Sequence, residues 1–162
     1  MITKTQQRVV PKTGAYLSSN MKIGFQCSTF DLFHAGHLTM LKIEKQLCDY
    51  LIVALQTDPT IDRPNTKNKP IQSLYERYVQ LQGCKYVDEI LVYETEEDLL
   101  HCIQTQKIDI RFLGEEYKNI DFTGKQYCIE NGIELYYHVR KHKYCSTELR
   151  NRVYEIESAK RD

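Results

Sequence analysis

The stretch Thr29-Phe30-Asp31-Leu32-Phe33-His34-Ala35-Gly36-His37 organises this chain of 162 residues. It follows a short apolar run, residues 22–27, and precedes a helical pattern over residues 36–47. A strand therefore leads through a short loop into a helix, and two histidines three residues apart stand at the helix start. The first N–H groups of a helix lack partners inside it and favour bound anions. The pattern predicts an anion site in which His34 and His37 face the same group.

The charges of the chain cancel, with 22 basic and 22 acidic residues. Nucleic-acid binding depends on a basic surface, so we predict no nucleic-acid partner. No apolar run approaches the roughly 20 residues that span a bilayer, and residues 1–20 lack the apolar core of a signal peptide. We therefore predict a cytoplasmic protein without a membrane partner. Residues 1–20 are expected to form a flexible extension, and residues 21–162 one domain.

The six cysteines are scattered, and none forms a C-x-x-C pair. Most fall within apolar segments, where a thiol behaves as a small hydrophobic group. This spacing is not typical of a zinc site or a disulfide framework and agrees with a reducing compartment. The cysteines are Cys27, Cys48, Cys84, Cys102, Cys128 and Cys145.

Apolar runs that suit buried strands alternate with segments of helical period along the chain. The pattern predicts strands over residues 22–27, 50–56, 89–93, 110–113 and 133–138, and helices over residues 36–47, 73–84, 96–106, 123–131 and 146–158. This alternation predicts an α/β fold: a Rossmann-like open parallel five-stranded sheet with helices on both faces. Ligands of such sheets bind beyond the carboxyl ends of the strands.

Four polar loops follow strands at that predicted edge of the sheet. They are the histidine loop, the lysine-bearing segment 57–70, residues 114–116 and residues 140–147. Together they predict one pocket for an anionic ligand. A metal site at His34 and His37 would need a third ligand at suitable spacing. None is evident, so we predict no metal held by protein ligands alone.

The longer stretch that begins at Ser28 resembles the G-T-F-D-L-x-H-x-G-H form of the H-x-G-H signature, which is typical of the cytidylyltransferases in the nucleotidylyltransferase superfamily. Further segments resemble this family in the same order between residues 21 and 153. They are residues 48–54, 76–77, 85–89, 113–117 and 140–147. The chain is most similar to the bacterial glycerol-3-phosphate cytidylyltransferases within that family.

The resemblance implies transfer of CMP from CTP to a phosphorylated small alcohol or polyol, with release of pyrophosphate. Mg²⁺ or another divalent cation would escort CTP, and a homodimer is expected. Such an enzyme positions two anions and stabilises charge on phosphoryl oxygens. The implied catalytic residues are His34, His37, Lys69 and Arg77; the implied nucleotide contacts are Thr29, Phe30, Gly36, Gly114, Glu116, Arg140, Cys145, Ser146 and Thr147; weaker substrate contacts are Lys67 and Lys85.

Several positions depart from the family pattern. Ser28 replaces a glycine, and Cys145 stands where a serine is usual, although a thiol donates only weakly. No clear equivalent of a lysine that contacts glycerol phosphate is present, so the acceptor stays open. Two alternatives also stay open. One is an adenylyltransferase that uses ATP on a sugar phosphate or FMN, and the other is a non-catalytic nucleotide-binding module.

Overall fold

Residues 20–139 and 141–161 are described by the structure, a computed structural model. That described part contains five parallel strands in one open sheet, in the order β3-β2-β1-β4-β5. The strands are β1 (Ile23–Ser28), β2 (Tyr50–Gln56), β3 (Glu89–Tyr93), β4 (Ile110–Gly114) and β5 (Glu134–His138). The helices are α1 (Ala35–Leu47), α2 (Leu74–Gly83), α3 (Glu96–Thr105), α4 (Lys125–Glu130) and α5 (Ser146–Ala159). The predicted Rossmann-like α/β fold is confirmed.

The sheet separates two apolar layers, because side chains alternate between its faces. Val53 of β2 packs in the layer that holds Leu41 of α1 and Leu81 of α2. The next residue, Ala54, packs in the opposite layer, which holds Ile103 of α3. All seven residues of β2 are buried, as expected for a strand covered on both faces. Helices therefore cover both faces of the sheet, whereas α5 has no buried residue.

An aspartate immediately precedes each of β2, β3 and β4 and ties the amino ends of neighbouring strands together. The carboxylates of Asp49, Asp88 and Asp109 each accept a main-chain N–H from the start of an adjacent strand, at 2.7 Å. These bonds help to fix the register of the parallel strands at that edge of the sheet. As a result, the carboxyl ends of the strands, and the loops that follow them, come together at the opposite edge.

The helix bounds agree with the sequence predictions to within one or two residues, and α4 shows the largest difference. The pattern predicts a helix over residues 123–131, but Gly124 adopts φ 78° and ends the preceding loop. A Cβ atom at Gly124 would lie 2.9 Å from Ile103 Cδ1 and 3.1 Å from Arg111 Nη1. Both the left-handed backbone and the close packing therefore require glycine here.

Within the described residues, no helix is both long and apolar enough to cross a membrane. All six cysteines lie in this part of the chain and are free thiols, which confirms that they form no disulfide framework. Ser73 and Glu76 form a capping box at the start of α2. Ser73 donates its N–H to Glu76 Oε2 at 2.7 Å and accepts the N–H of Glu76 at 3.3 Å.

Glu44 of α1 has a fully buried carboxylate, which lies next to His138 at the end of β5. Its Oε1 lies 2.8 Å from His138 Nε2 and accepts a hydrogen bond from Gln26 Nε2 at 3.0 Å, whereas its Oε2 has no partner. Burial raises the pKa of Glu44 to about 7, and the hydrogen bonds from His138 and Gln26 oppose that rise. Folding therefore favours the protonated acid.

We expect Glu44→Gln to remove this pH dependence of stability. The folded-state pKa lies above the ordinary value of 4.5, so the stability that the protonated acid provides is present below pH 4.5 and lost as the pH rises to 7. Between pH 5 and pH 8, the free energy of unfolding of the variant should therefore rise by on the order of 2 kcal/mol relative to that of the wild type. Urea unfolding of both proteins at the two pH values measures this difference. The same difference in free energy of unfolding between variant and wild type at both pH values would contradict this prediction.

Candidate active site

Two histidines close the start of α1 as a reciprocal cap. His34 is the N-cap residue, and its Nδ1 accepts the N–H of Gly36 at 3.0 Å and the N–H of His37 at 3.4 Å. In return, His37 Nδ1 accepts the N–H of His34 at 3.4 Å, and the ring centroids lie 3.8 Å apart. A nitrogen that accepts is unprotonated, so each neutral ring carries its proton on Nε2. That nitrogen can donate to an anion.

One carboxylate holds the loop before this cap. Asp31 accepts the N–H of Gln72 at 2.9 Å and that of Ile71 at 3.0 Å, and it forms an ion pair with Arg150 of α5. Burial raises the pKa of Asp31, but the two N–H bonds and Arg150 outweigh it, so the pKa lies below its ordinary value. Asp31 therefore links the histidine loop both to the end of the segment between β2 and α2 and to α5.

The backbone of the histidine loop is strained on either side of Asp31. Phe30 has φ 49° and Leu32 has φ 50°, a left-handed conformation that costs non-glycine residues on the order of 1–3 kcal/mol. The Phe30 side chain is fully buried, and its ring centroid lies 5.2 Å from that of His37. The Phe30 ring therefore packs against His37. Only the backbone of Phe30 remains a candidate for the predicted nucleotide contact.

Gly36 is required by close packing at the cap. A Cβ atom there would lie 2.6 Å from the carbonyl oxygen of Tyr144 and 2.9 Å from His34 Cε1. The loop before α5 therefore rests directly on the first turn of α1. This contact, together with the Asp31 links, brings the start of α5 to the histidine cap.

Arg77 of α2 is buried, with 2% of its surface exposed. Its Nη1 donates to the carbonyls of Thr29 at 2.9 Å and Gln56 at 2.6 Å, and its Nη2 donates to that of Thr57 at 2.6 Å. Its Nε donates to the carbonyl of Gln72 at 3.2 Å. The guanidinium group is thus occupied by the ends of β1 and β2 and by the loop that leads to α2. This geometry favours a positioning role over the predicted catalytic one.

Two adjoining cavities open at this edge of the sheet and share Thr29, Pro59, Thr66 and Lys67 as lining residues. The smaller one, about 190 Å³, lies between the histidine loop and Ser146 of α5. The larger one has a volume of about 700 Å³, which falls in the range of small-molecule sites. The predicted residues His37, Gly114 and Glu116 line the larger cavity.

Of the three predicted nucleotide contacts at the start of α5, Ser146 lines a cavity, whereas Cys145 and Thr147 line neither of the two. Cys145 is the N-cap residue, and its Sγ accepts the N–H of Glu148 at 3.5 Å. Ser146 donates its hydroxyl to the Asp31 carbonyl at 3.0 Å and lines the smaller cavity. Thr147 is exposed in the first turn. Arg140, a predicted nucleotide contact, lies outside the described residues.

The structure separates the three predicted lysines. Lys67 lines both cavities, whereas Lys69 is exposed and lines neither. Lys85 lies between α2 and β3 and therefore at the amino edge of the parallel sheet, opposite the cavities. This position at the opposite edge does not favour the predicted substrate contact by Lys85.

Several polar residues of the larger cavity escape the sequence prediction. Arg111 lies within the apolar run of β4, yet it lines the cavity, as do Gln56 at the end of β2 and Arg63 in the following loop. A charged residue inside a buried strand is the signal that points to Arg111, because an arginine is rarely buried unless it has a partner. The loop residue Arg63 carries no comparable signal.

The acidic and histidine side chains of the described residues form no group of three or more that could hold a metal ion. In nucleotide sites, Mg²⁺ is usually bound by phosphate oxygens and water with one or two carboxylates. The residues at this site are therefore compatible with a divalent cation that arrives on a triphosphate.

Comparison with known proteins places this site in a family context. The family described as cytidylyltransferase-like matches residues 25–152. The bifunctional protein HldE of Helicobacter hepaticus is 36% identical over 109 residues, which cover 67% of this chain and 22% of that protein. The ethanolamine-phosphate cytidylyltransferase of Arabidopsis thaliana is 31% identical over 119 residues, or 73% of this chain and 28% of the relative. The chain thus spans about a quarter of the length of these curated relatives.

Solved structures agree with this comparison. The lipopolysaccharide core biosynthesis protein from Thermoplasma volcanium has a TM-score of 0.60 and 30% identity, and the match covers 77% of this chain and 99% of that one. The pantoate-beta-alanine ligase from Francisella tularensis has a TM-score of 0.55 and 20% identity over 86% of this chain and 72% of that one. The second similarity supports the fold alone.

We expect Gly36→Ala to destabilise the protein, because the new Cβ would meet the Tyr144 carbonyl and the His34 ring. Overpacking of this kind costs roughly 1–3 kcal/mol. Gly83→Ala is the matched control, since no atom lies within 4 Å of a Cβ there, and it should leave the free energy of unfolding unchanged or slightly higher. Urea unfolding of the two variants measures the difference. Equal stabilities would show that the α5 loop does not press on α1.

Proposed function

The chain belongs to the cytidylyltransferase-like family, and on that basis we propose that it transfers CMP from CTP to a phosphorylated small alcohol or polyol, with release of pyrophosphate. The observation that carries this proposal is the histidine cap at the start of α1, which lies beside a cavity lined by the first turn of α5. The N-termini of α1 and α5 thus border the same edge of the sheet, where His37 lines the larger cavity and the His34 ring stacks on that of His37. Such an arrangement suits a triphosphate, because helix N-termini favour anions.

The reaction needs an acceptor phosphate to attack the α-phosphate of the nucleotide in line. The chain supplies no covalent intermediate in this proposal, so its work is positioning and stabilisation of charge. The Nε2–H groups of His34 and His37 would donate to α-phosphoryl oxygens as charge develops there. Lys67, at the junction of the two cavities, would neutralise the acceptor phosphate and the triphosphate together.

The other residues of the site would hold the nucleotide or the loops around it. Gly114 carries no side chain at the end of β4, so the main chain there can approach the base or ribose, and the Glu116 carboxylate lies over it. Ser146 supports the histidine loop through Asp31. Mg²⁺, when bound with the nucleotide, would supply further charge neutralisation of the phosphates.

The relatives support the transferase class and leave the acceptor open. One is named as an ethanolamine-phosphate cytidylyltransferase, and another as a lipopolysaccharide core biosynthesis protein. They do not favour the glycerol-3-phosphate branch in particular. We retain glycerol 3-phosphate as the simplest polyol phosphate with which to begin, and we propose a homodimer as the assembly.

We predict that the protein releases pyrophosphate with CTP and a polyol phosphate and that ATP supports less turnover. His34→Ala and His37→Ala should each lower kcat by about 100–1,000-fold, because each removes a donor to the reacting phosphate. A coupled pyrophosphate assay with CTP and ATP in parallel measures both effects.

His101→Ala is the matched control, since His101 is exposed on α3, and it should leave kcat unchanged. Turnover with ATP alone would replace CTP by ATP in the proposal. Full activity of both histidine variants would refute the roles given to the cap. Nucleotide binding without turnover under any condition would favour a non-catalytic module.

We also predict that Lys67→Ala lowers kcat/KM by about 100-fold, because a cation between two phosphates stabilises their approach. Lys85→Ala should stay within about twofold of the wild type, since Lys85 lies at the opposite edge of the sheet. The same assay compares the two variants, and a larger loss in Lys85→Ala would overturn the assignment of the site to the carboxyl edge.

A further inference from the structure

We define the inner chamber as the part of the larger cavity that is lined by Gln56, Arg63, Tyr93, Glu96, Arg111 and Phe122. Arg111 and Gln56 each have 2% of their surface exposed. The Arg111 guanidinium carbon lies 5.0 Å from the centre of the Phe122 ring. The chamber therefore combines buried polar groups with aromatic walls, and the mechanism described above uses none of these residues.

Three nitrogen donors of this chamber are buried and have no hydrogen-bond partner. They are Arg63 Nε, Arg111 Nε and Gln56 Nε2. Other groups of these side chains are engaged: Arg111 Nη1 donates to the Thr123 carbonyl at 2.6 Å, and Arg63 Nη2 donates to Gln56 Oε1 at 3.2 Å. A buried unpaired donor costs about 1–3 kcal/mol, so a ligand that supplies acceptor oxygens here would bind favourably.

The Glu96 carboxylate of the inner chamber already has two partners. Glu96 Oε1 forms an ion pair with Arg63 at 3.1 Å, and Glu96 Oε2 accepts the hydroxyl of Thr123 at 2.5 Å. Two guanidinium groups and one carboxylate thus line the inner chamber, and the other carboxylates of the larger cavity belong to Glu116 and Asp121. An ammonium group has three donors and no acceptor, so it cannot accept from the three unpaired donors, and the carboxylate of the inner chamber is already engaged.

We propose that the inner chamber receives the hydroxyl-bearing part of the acceptor, which makes the acceptor a polyol or sugar phosphate and not an amino-alcohol phosphate. This inference rests on the transferase function proposed above and adds Gln56, Arg63 and Arg111 as residues that determine specificity. Hydroxyl oxygens can accept from the three unpaired donors and also donate to carboxylate oxygens. A carboxylate tail would accept only, and it would lie near Glu96.

The test is a pyrophosphate assay on the full chain with five acceptors: glycerol 3-phosphate, a pentitol phosphate, a hexose 1-phosphate, phosphoethanolamine and 3-phosphoglycerate. The kcat/KM for at least one hydroxylated acceptor should exceed that for phosphoethanolamine by about 100-fold or more. A preference for phosphoethanolamine or 3-phosphoglycerate would overturn the inference and leave the transferase function intact. No pyrophosphate with any acceptor and either nucleotide would refute the transferase function itself.

A variant tests the chamber directly. Gln56→Glu keeps the oxygen that accepts from Arg63 and replaces the unpaired donor by an acceptor. It should raise the KM for the polyol or sugar phosphate by about tenfold, the loss of one good hydrogen bond, and leave the KM for CTP unchanged. Gln104→Glu makes the same change on the exposed face of α3 and should alter neither constant. Equal KM values for the acceptor in both variants would contradict the proposal.

Discussion

The site depends on a single buried guanidinium group. Arg77 joins the carbonyls of Thr29 and Gln56, at or just beyond the ends of β1 and β2, to the loop that leads into its own helix. Burial lowers the pKa of Arg77, but an arginine stays protonated in proteins, so its charge must be stabilised by these carbonyl dipoles. Both loops that border the cavities therefore start from positions that Arg77 fixes.

Above Arg77, the histidine loop adopts a conformation that its own residues disfavour. Phe30 and Leu32 have left-handed backbones, and such strain persists only where the surroundings over-determine it. Here the surroundings are the buried Phe30 ring and the Asp31 carboxylate, which accepts from Ile71 and Gln72 and pairs with Arg150. The strain is thus offset by burial and by charge-assisted hydrogen bonds. The result is a cap whose two rings are held in one geometry.

The inner chamber departs from the usual rule that buried polar groups are paired. Arg111 occupies a strand position where an apolar residue would pack more favourably, and its Nε is left without a partner. Unpaired donors at a cavity wall are typical of a ligand-binding surface. Proteins depart from the pairing of buried polar groups mainly at functional sites.

Local features of the chain were enough to predict the strands and helices, their order and the histidine pair at the start of α1. These features depend on local periodicity and on residues three positions apart, such as His34 and His37. Which charged side chains border the site depends on the folded chain. Arg77 is occupied by carbonyls, Lys85 lies at the opposite edge, and Arg111 faces the cavity. The physical reason is that the role of a charged side chain depends on the groups that surround it in space, and those groups come from strands far apart in the chain.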